Sequence, residues 1–177
     1  MTKQTKTLKN NINECLLVID FGSQVTQLIA RRLIELSVYS KIYPFQNINQ
    51  KLLKELSPKA IIFSGGPRSV LDRNSPKIPK IIYKLGIPIL GICYGQQLIM
   101  FQLGGKINSK EKKSEFGRAY LEKKRKSKLL DGWFEKDFEE VWMSHGDHVS
   151  EIGPNFKVLA TSKNAPYAVV ADEKRNF

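Results

Sequence analysis

The chain is poor in cysteine and in histidine. Its 177 residues hold two of each, Cys15 and Cys93, His145 and His148. Two thiols with no spacing pattern exclude a disulfide framework and point to a reducing, cytoplasmic setting. Apolar runs are short, and none reaches the roughly 18 residues that a membrane span needs. Residues 1–14, MTKQTKTLKNNINE, carry positive charge with no apolar segment behind it. They therefore read as a short, mobile, basic leader and not as a secretory signal. Acidic residues are scarce as well: 17 against 29 Lys and Arg, a net charge of +12. Residues 106–128 hold ten cations and three Glu, which places most of that excess in one segment. Such a segment suits either an anionic partner or a solvated, lysine-rich face. Single-strand binding wants aromatic residues interleaved with the cations, and few are here, so the solvated face is the reading adopted and nucleic acid is not expected as a partner.

What is present suits a globular chain. Hydrophobic residues make up 41% and charged residues 26% of the sequence. Residues 15–177 are long enough for one domain with its own core. Short apolar runs alternate with helical patterns. CLLVIDFG (15–22), VYSKIYPF (38–45), AIIFSGGP (60–67) and IPILGIC (87–93) read as strands. Helical patterns follow over 25–36, over 49–56, over 78–85 and from the fourth strand to about Leu103. Strand–helix alternation predicts an α/β fold: a mostly parallel, flavodoxin-like sheet with helices on both faces. The second half changes character. RAYLE, EEVWMSHGD, FKVLATS and YAVVADE read as strands joined by turns. They predict a β-rich part that completes or extends the sheet.

In a parallel sheet, ligands bind at the carboxyl edge of the strands. Three segments that follow strands should meet there: DFGS, SGGP and CYGQ. GICYG has the form Gly-x-nucleophile-x-Gly, the pattern of a sharp strand-to-helix turn that holds its middle residue in a strained conformation. Cys93 is then the candidate nucleophile, and a helix N-terminus beside it should lower its pKa. A thiol attacking a carbonyl needs donors for the developing oxyanion. The N–H of Tyr94 is one, and the Gly-Gly turn at Ser64–Pro67 offers another. Together these features describe acyl transfer through a thioester.

The motifs DFGSQ (20–24), SGGPRS (64–69), GICYGQQ (91–97), QLGG (102–105), EFGRA (115–119) and WMSHGD (142–147) occur in this order. They closely resemble the class I glutamine amidotransferase domain of glutamine-hydrolysing GMP synthases, over about Leu16 to Phe177. Tyr after the Cys, together with WMSHGD, marks that branch; the carbamoyl-phosphate, anthranilate and CTP synthase relatives usually carry Leu after the Cys. The resemblance implies that Cys93 attacks the side-chain amide of glutamine, that Gly66 and Tyr94 supply the backbone oxyanion hole, and that Gln97, Ser144, His145, Gly146 and Asp147 bind the substrate. It implies no metal and no cofactor on this domain, with ATP and magnesium confined to a synthetase (ATP-pyrophosphatase) domain that receives the ammonia and converts XMP to GMP. That domain is expected as a separately encoded subunit or as an absent portion of the protein.

In this family the base is a His in an FHPE-type motif, oriented by a Glu two residues on. YAVVADEKRNF resembles the stretch just before it, so the expected base and its Glu lie past Phe177. The domain is thus expected to be incomplete at its C-terminus and the chain alone to be inactive. The alternative is a non-catalytic module that binds glutamine or the synthetase.

Overall fold

The structure is a computed structural model and describes residues 14–109 and 115–177. The expected leader falls mostly on residues 1–13, and part of the basic segment on 110–114; both lie outside the described residues. The chain falls into two compact units, divided between Gln96 and Gln97.

The first unit is a four-stranded parallel sheet. Strands β1 (Leu16–Asp20), β2 (Ser40–Pro44), β3 (Ala60–Phe63) and β4 (Ile89–Gly91) lie in the order β2-β1-β3-β4, with β1 pairing in parallel to both β2 and β3. The continuous apolar run of β1 has the expected cause: Leu17, Val18 and Ile19 are fully buried. Strand β2 is the edge, where Pro44 costs no ladder hydrogen bond. Helix α1 (Val25–Glu35) follows β1, and α2 (Gln50–Leu56) follows β2. Gln24 gives α1 no side-chain cap. Asp20 helps fix the chain there instead: its Oδ1 accepts from Gly22 N–H and from Thr26 Oγ1, both at 2.8 Å. Asn49 caps α2 by accepting from Leu52 N–H at 3.0 Å.

One element differs from the sequence reading. The helix expected over 78–85 is a single 3-10 stretch, Lys80–Lys84, entered through extended Pro79. Proline at the entry and Gly86 with φ +70° beyond leave room for little more than one turn.

Helix α3 (Tyr94–Gln102) follows β4 and crosses from one unit to the other. Its consecutive Leu98, Ile99 and Met100 are all buried. It ends at Gly104, φ +92°, where Gly105 N–H returns to Met100 O at 2.8 Å, a Schellman-type closure.

The second half does not extend the parallel sheet. It builds its own antiparallel sheet in the order β10-β9-β6-β7, from β6 (Glu115–Lys123), β7 (Phe138–His145), β9 (Lys157–Thr161) and β10 (Val169–Ala171). A two-stranded ribbon, β5 (Lys106–Asn108) with β8 (His148–Glu151), accompanies it. Both ribbon strands are too short to show a period in sequence. A small cluster of Leu130, Leu159 and Ala171, covered by Phe134 and Val169, forms one core of this unit. Asp172, 2% exposed, closes the turn after β10 by accepting from the Lys174 and Arg175 N–H groups and from Arg175 Nε. Several cations of the basic segment have local partners: Lys106 with Glu151, Arg118 with Glu140, Lys124 with Glu122, and Lys123 over the Phe134 ring. These are exposed pairs, worth little individually.

Gly95 packs against the end of β3 with no room for a side chain. A methyl group there would sit 2.3 Å from Phe63 O and 2.6 Å from Phe63 Cβ. Gly95→Ala must push α3 off the end of β3. It is expected to cost about 3 kcal/mol in denaturant unfolding; a loss below about 1 kcal/mol would contradict this packing.

Candidate active site

Three loops meet at the carboxyl edge of the parallel sheet. Ser64, fully buried, accepts from Phe21 N–H through its Oγ at 3.2 Å, which ties the end of β3 to the DFGS turn after β1. A methyl placed on Gly65 would lie 3.2 Å from Ser23 Oγ. The same Ser64 accepts Gly95 N–H at 3.1 Å through its carbonyl, and Ile92 N–H donates to Phe63 O at 3.0 Å. The turn carrying Cys93 is thereby fastened to the end of β3 on both sides of the thiol.

Cys93 itself has φ +51°. That is the left-handed region, costly for a residue with a Cβ, and it persists only where the surroundings impose it. Here the hydrogen bonds of Ile92 and Gly95 do so. The outcome is a cysteine at the tip of the turn, exposed, with α3 starting at the next residue. Tyr94 N–H, at the first position of α3, has no intrahelical acceptor and is available to a ligand at the thiol.

Gly66 is close by. A methyl there would meet Phe21 O at 2.9 Å, Phe21 Cβ at 3.1 Å and Tyr94 Cγ at 3.3 Å. The Gly-Gly turn therefore lies directly against the residue that follows the nucleophile, and only glycine fits. Tyr94 is 2% exposed, its ring 5.2 Å from that of Phe21, and its hydroxyl donates to Pro76 O.

The other predicted residues lie in the second unit. Ser144 and His145 are the last two residues of β7, and Gly146 and Asp147 form the turn into β8. Ser144 is exposed, His145 half-buried. Gln97, on α3 and 7% exposed, donates through Nε2 to Asp147 O at 3.0 Å. So the structure brings Gln97 together with the SHGD turn, a link that no local pattern announces. Sequence reasoning also passes over Asp20, Ser64 and Phe21, which hold the loops without being candidates themselves. Their signal is a polar or aromatic residue at the end of an apolar strand, which is common in strands of every function.

The chemistry of the thiol differs from expectation. Burial around Cys93 pushes its pKa above the ordinary 9.0, although the residue is exposed overall. The protein packed about the sulfur removes water that would solvate the thiolate and so disfavours it. The thiol therefore needs a proton acceptor, and the first unit contains no histidine, since both lie after residue 144.

This arrangement has known counterparts. The family model for class I glutamine amidotransferases matches residues 17–177. The chain belongs to the class I glutamine amidotransferases. Among curated relatives, the glutamine-hydrolysing GMP synthase of Ruegeria sp. (strain TM1040) is 59% identical over 163 residues, and that of Bartonella quintana (strain Toulouse) 54%. These matches cover 92% of this chain but 31% of each relative. Among solved structures, a Thermoplasma acidophilum protein described as a putative component of GMP synthase superposes with a TM-score of 0.75 at 26% identity, covering 92% of this chain and 80% of that one. A glutamine amidotransferase of Thermotoga maritima shares the fold, with a TM-score of 0.69 at 19% identity, covering 89% of this chain and 74% of that one. The α/β architecture and the family expected from the motifs are those found. Among the described residues no helix is long and apolar enough to cross a membrane.

The raised thiol sets the pH dependence of this amidotransferase's reactivity. A pKa above 9 leaves about 1% thiolate or less at pH 7. Since only the thiolate is alkylated, the rate of Cys93 modification by iodoacetamide is expected to climb about tenfold per pH unit from 7 to 9. Mass spectrometry of the Cys93 peptide measures this, and a plateau below pH 8 would contradict the raised pKa.

Proposed function

We propose that this chain is the glutaminase portion of a GMP-synthase-type enzyme, with Cys93 as nucleophile. The observation that carries the reading is the contact of the Gly66 turn with Tyr94, the residue after the strained Cys93. That contact supports an oxyanion hole made of the Gly66 and Tyr94 backbone N–H groups at the Cys93 thiol, the arrangement that acyl transfer requires.

In the proposed reaction Cys93 Sγ attacks the side-chain carbonyl carbon of glutamine. The carbonyl oxygen takes up negative charge toward the Gly66 and Tyr94 N–H groups. The C–N bond breaks, the thiol's proton ends on the leaving nitrogen, and ammonia departs. Water then cleaves the thioester to give glutamate and restores the thiol. The family resemblance assigns Gln97 and the turn Ser144–Asp147 to binding of glutamine, and Gln97 holds that turn through Asp147 O. This acyl transfer calls on no cofactor. ATP and magnesium belong to the synthetase portion that would take the ammonia to XMP. The chain spans 31% of the length of these curated relatives, and a separately encoded synthetase subunit is proposed as its partner. The reading places the protein in the cytoplasm.

The test uses a glutamine analogue in which a chloromethyl ketone replaces the carboxamide. Sγ displaces chloride, forming a stable thioether. The analogue is expected to label Cys93 and not buried Cys15, with glutamine protecting. Gly66→Ala should slow labelling by about a hundredfold, because the turn must move to admit a Cβ. Labelling that glutamine does not prevent would contradict the reading.

A further inference from the structure

We infer that the side chain of Tyr94 is a positioning residue: it holds Gly66 in place as the second oxyanion donor. The inference rests on the acyl-transfer reading of the site. That reading uses only the backbone N–H of Tyr94; the buried phenol has no part in it.

The phenol side chain touches both ends of the loop that follows the Gly-Gly turn. At the near end its ring lies 3.3 Å from where a Gly66 Cβ would be, so ring and glycine pack with no room for a side chain between them. At the far end its hydroxyl donates to Pro76 O. Between these points the loop makes its own bonds: Ser75 Oγ donates to Val70 O at 3.0 Å, Ser75 N–H to Asp72 O at 3.0 Å, and Ser69 N–H to an Asp72 carboxylate oxygen at 3.2 Å. The loop is thus a small structured body, and Tyr94 is the strut that joins it to the nucleophile turn. Phe21 backs the strut, with its ring 5.2 Å from that of Tyr94 and its carbonyl oxygen against Gly66.

The consequence is geometric. One residue supplies the first donor from its backbone and fixes the second through its side chain, so the two donors keep one spacing whatever the rest of the loop does. Burial pushes the phenol up to about 12, so it stays protonated and the Pro76 bond persists throughout the pH range of thiol chemistry. Position, not charge, is what the residue supplies. A shift of a donor by less than an ångström weakens an oxyanion hole steeply.

Two electrophiles separate this role from a general effect on folding. With the chloromethyl ketone analogue, Sγ first adds to the ketone, giving a thiohemiketal whose oxyanion needs the two donors, and chloride then leaves as sulfur migrates to the methylene carbon to give the thioether. Iodoacetamide reacts by direct displacement at carbon and needs no donors. With the 177-residue chain, Tyr94→Leu removes ring and hydroxyl. It is expected to lower the maximal rate of inactivation by the ketone about tenfold, with its half-saturating concentration and the iodoacetamide rate at Cys93 unchanged. Tyr94→Phe keeps the ring and loses the hydroxyl's bonds to Pro76 O and the Ser75 side chain, so it should recover most of the ketone rate, to within about threefold of the original. Equal losses with both electrophiles, or no loss with either, would overturn the proposal. If the unsubstituted chain fails to take up the ketone in a glutamine-protected manner, the failure is that of the acyl-transfer reading itself, a result visible before any variant is made.

Discussion

The carbonyl of Phe63 and the backbone of Gly95 approach so closely that no side chain fits between them. The rest of the site follows from this contact. It lets α3 begin immediately beyond β4, against the end of the neighbouring strand β3. With Ile92 N–H bonded to Phe63 O and Gly95 N–H to Ser64 O, the two residues left between them have little freedom. Cys93 is forced to a positive φ and out to the surface, while Tyr94 turns into the interior. Packing energy elsewhere in the sheet, in the fully buried Leu17, Val18, Ile19 and Phe63, sustains the strain of one left-handed cysteine.

The same edge explains why the loops differ so much in character from the strands that carry them. The central strands β1 and β3 are held by generic apolar burial. Each loop is held by single bonds that replace a longer element: Ser64 to Phe21, Asp20 to Thr26, Tyr94 to Pro76. In the second unit, Gln97 to Asp147 does likewise for the turn between β7 and β8. A site built in this way can change its substrate by changing loops without disturbing the sheet. Its thiol is not activated by its immediate surroundings, which raise its pKa, so its reactivity depends on a partner group for the proton.

Much of this was legible in the chain. The sequence located all four parallel strands, and in β1 and β3 the signal is a continuous apolar run that is buried in the fold. GICYG located the elbow because glycine spacing there reflects a steric limit, seen directly at Gly95. Ordered motifs carried the family. Other features were hidden for physical reasons. Strands of three and four residues, β5 and β8, are too short for any period to show. The separate sheet of the second half could not be told from an extension of the first, since alternation fixes a strand's faces and not its neighbours. The direction of the Cys93 shift depends on how closely the folded protein surrounds the sulfur. The bonds made by Ser64, Gln97 and Tyr94 join residues 18 to 50 positions apart, beyond the reach of any local pattern.

The central claim is that Gly66 and Tyr94 present their backbone N–H groups to an oxygen held at Cys93. The most direct measurement is a crystal structure of the chain with Cys93 bonded to the glutamine-derived ketone. The account predicts the ketone oxygen about 2.7–3.1 Å from both nitrogens, with Cys93 still at positive φ. An oxygen turned to solvent, or one bonded to neither nitrogen, would contradict it.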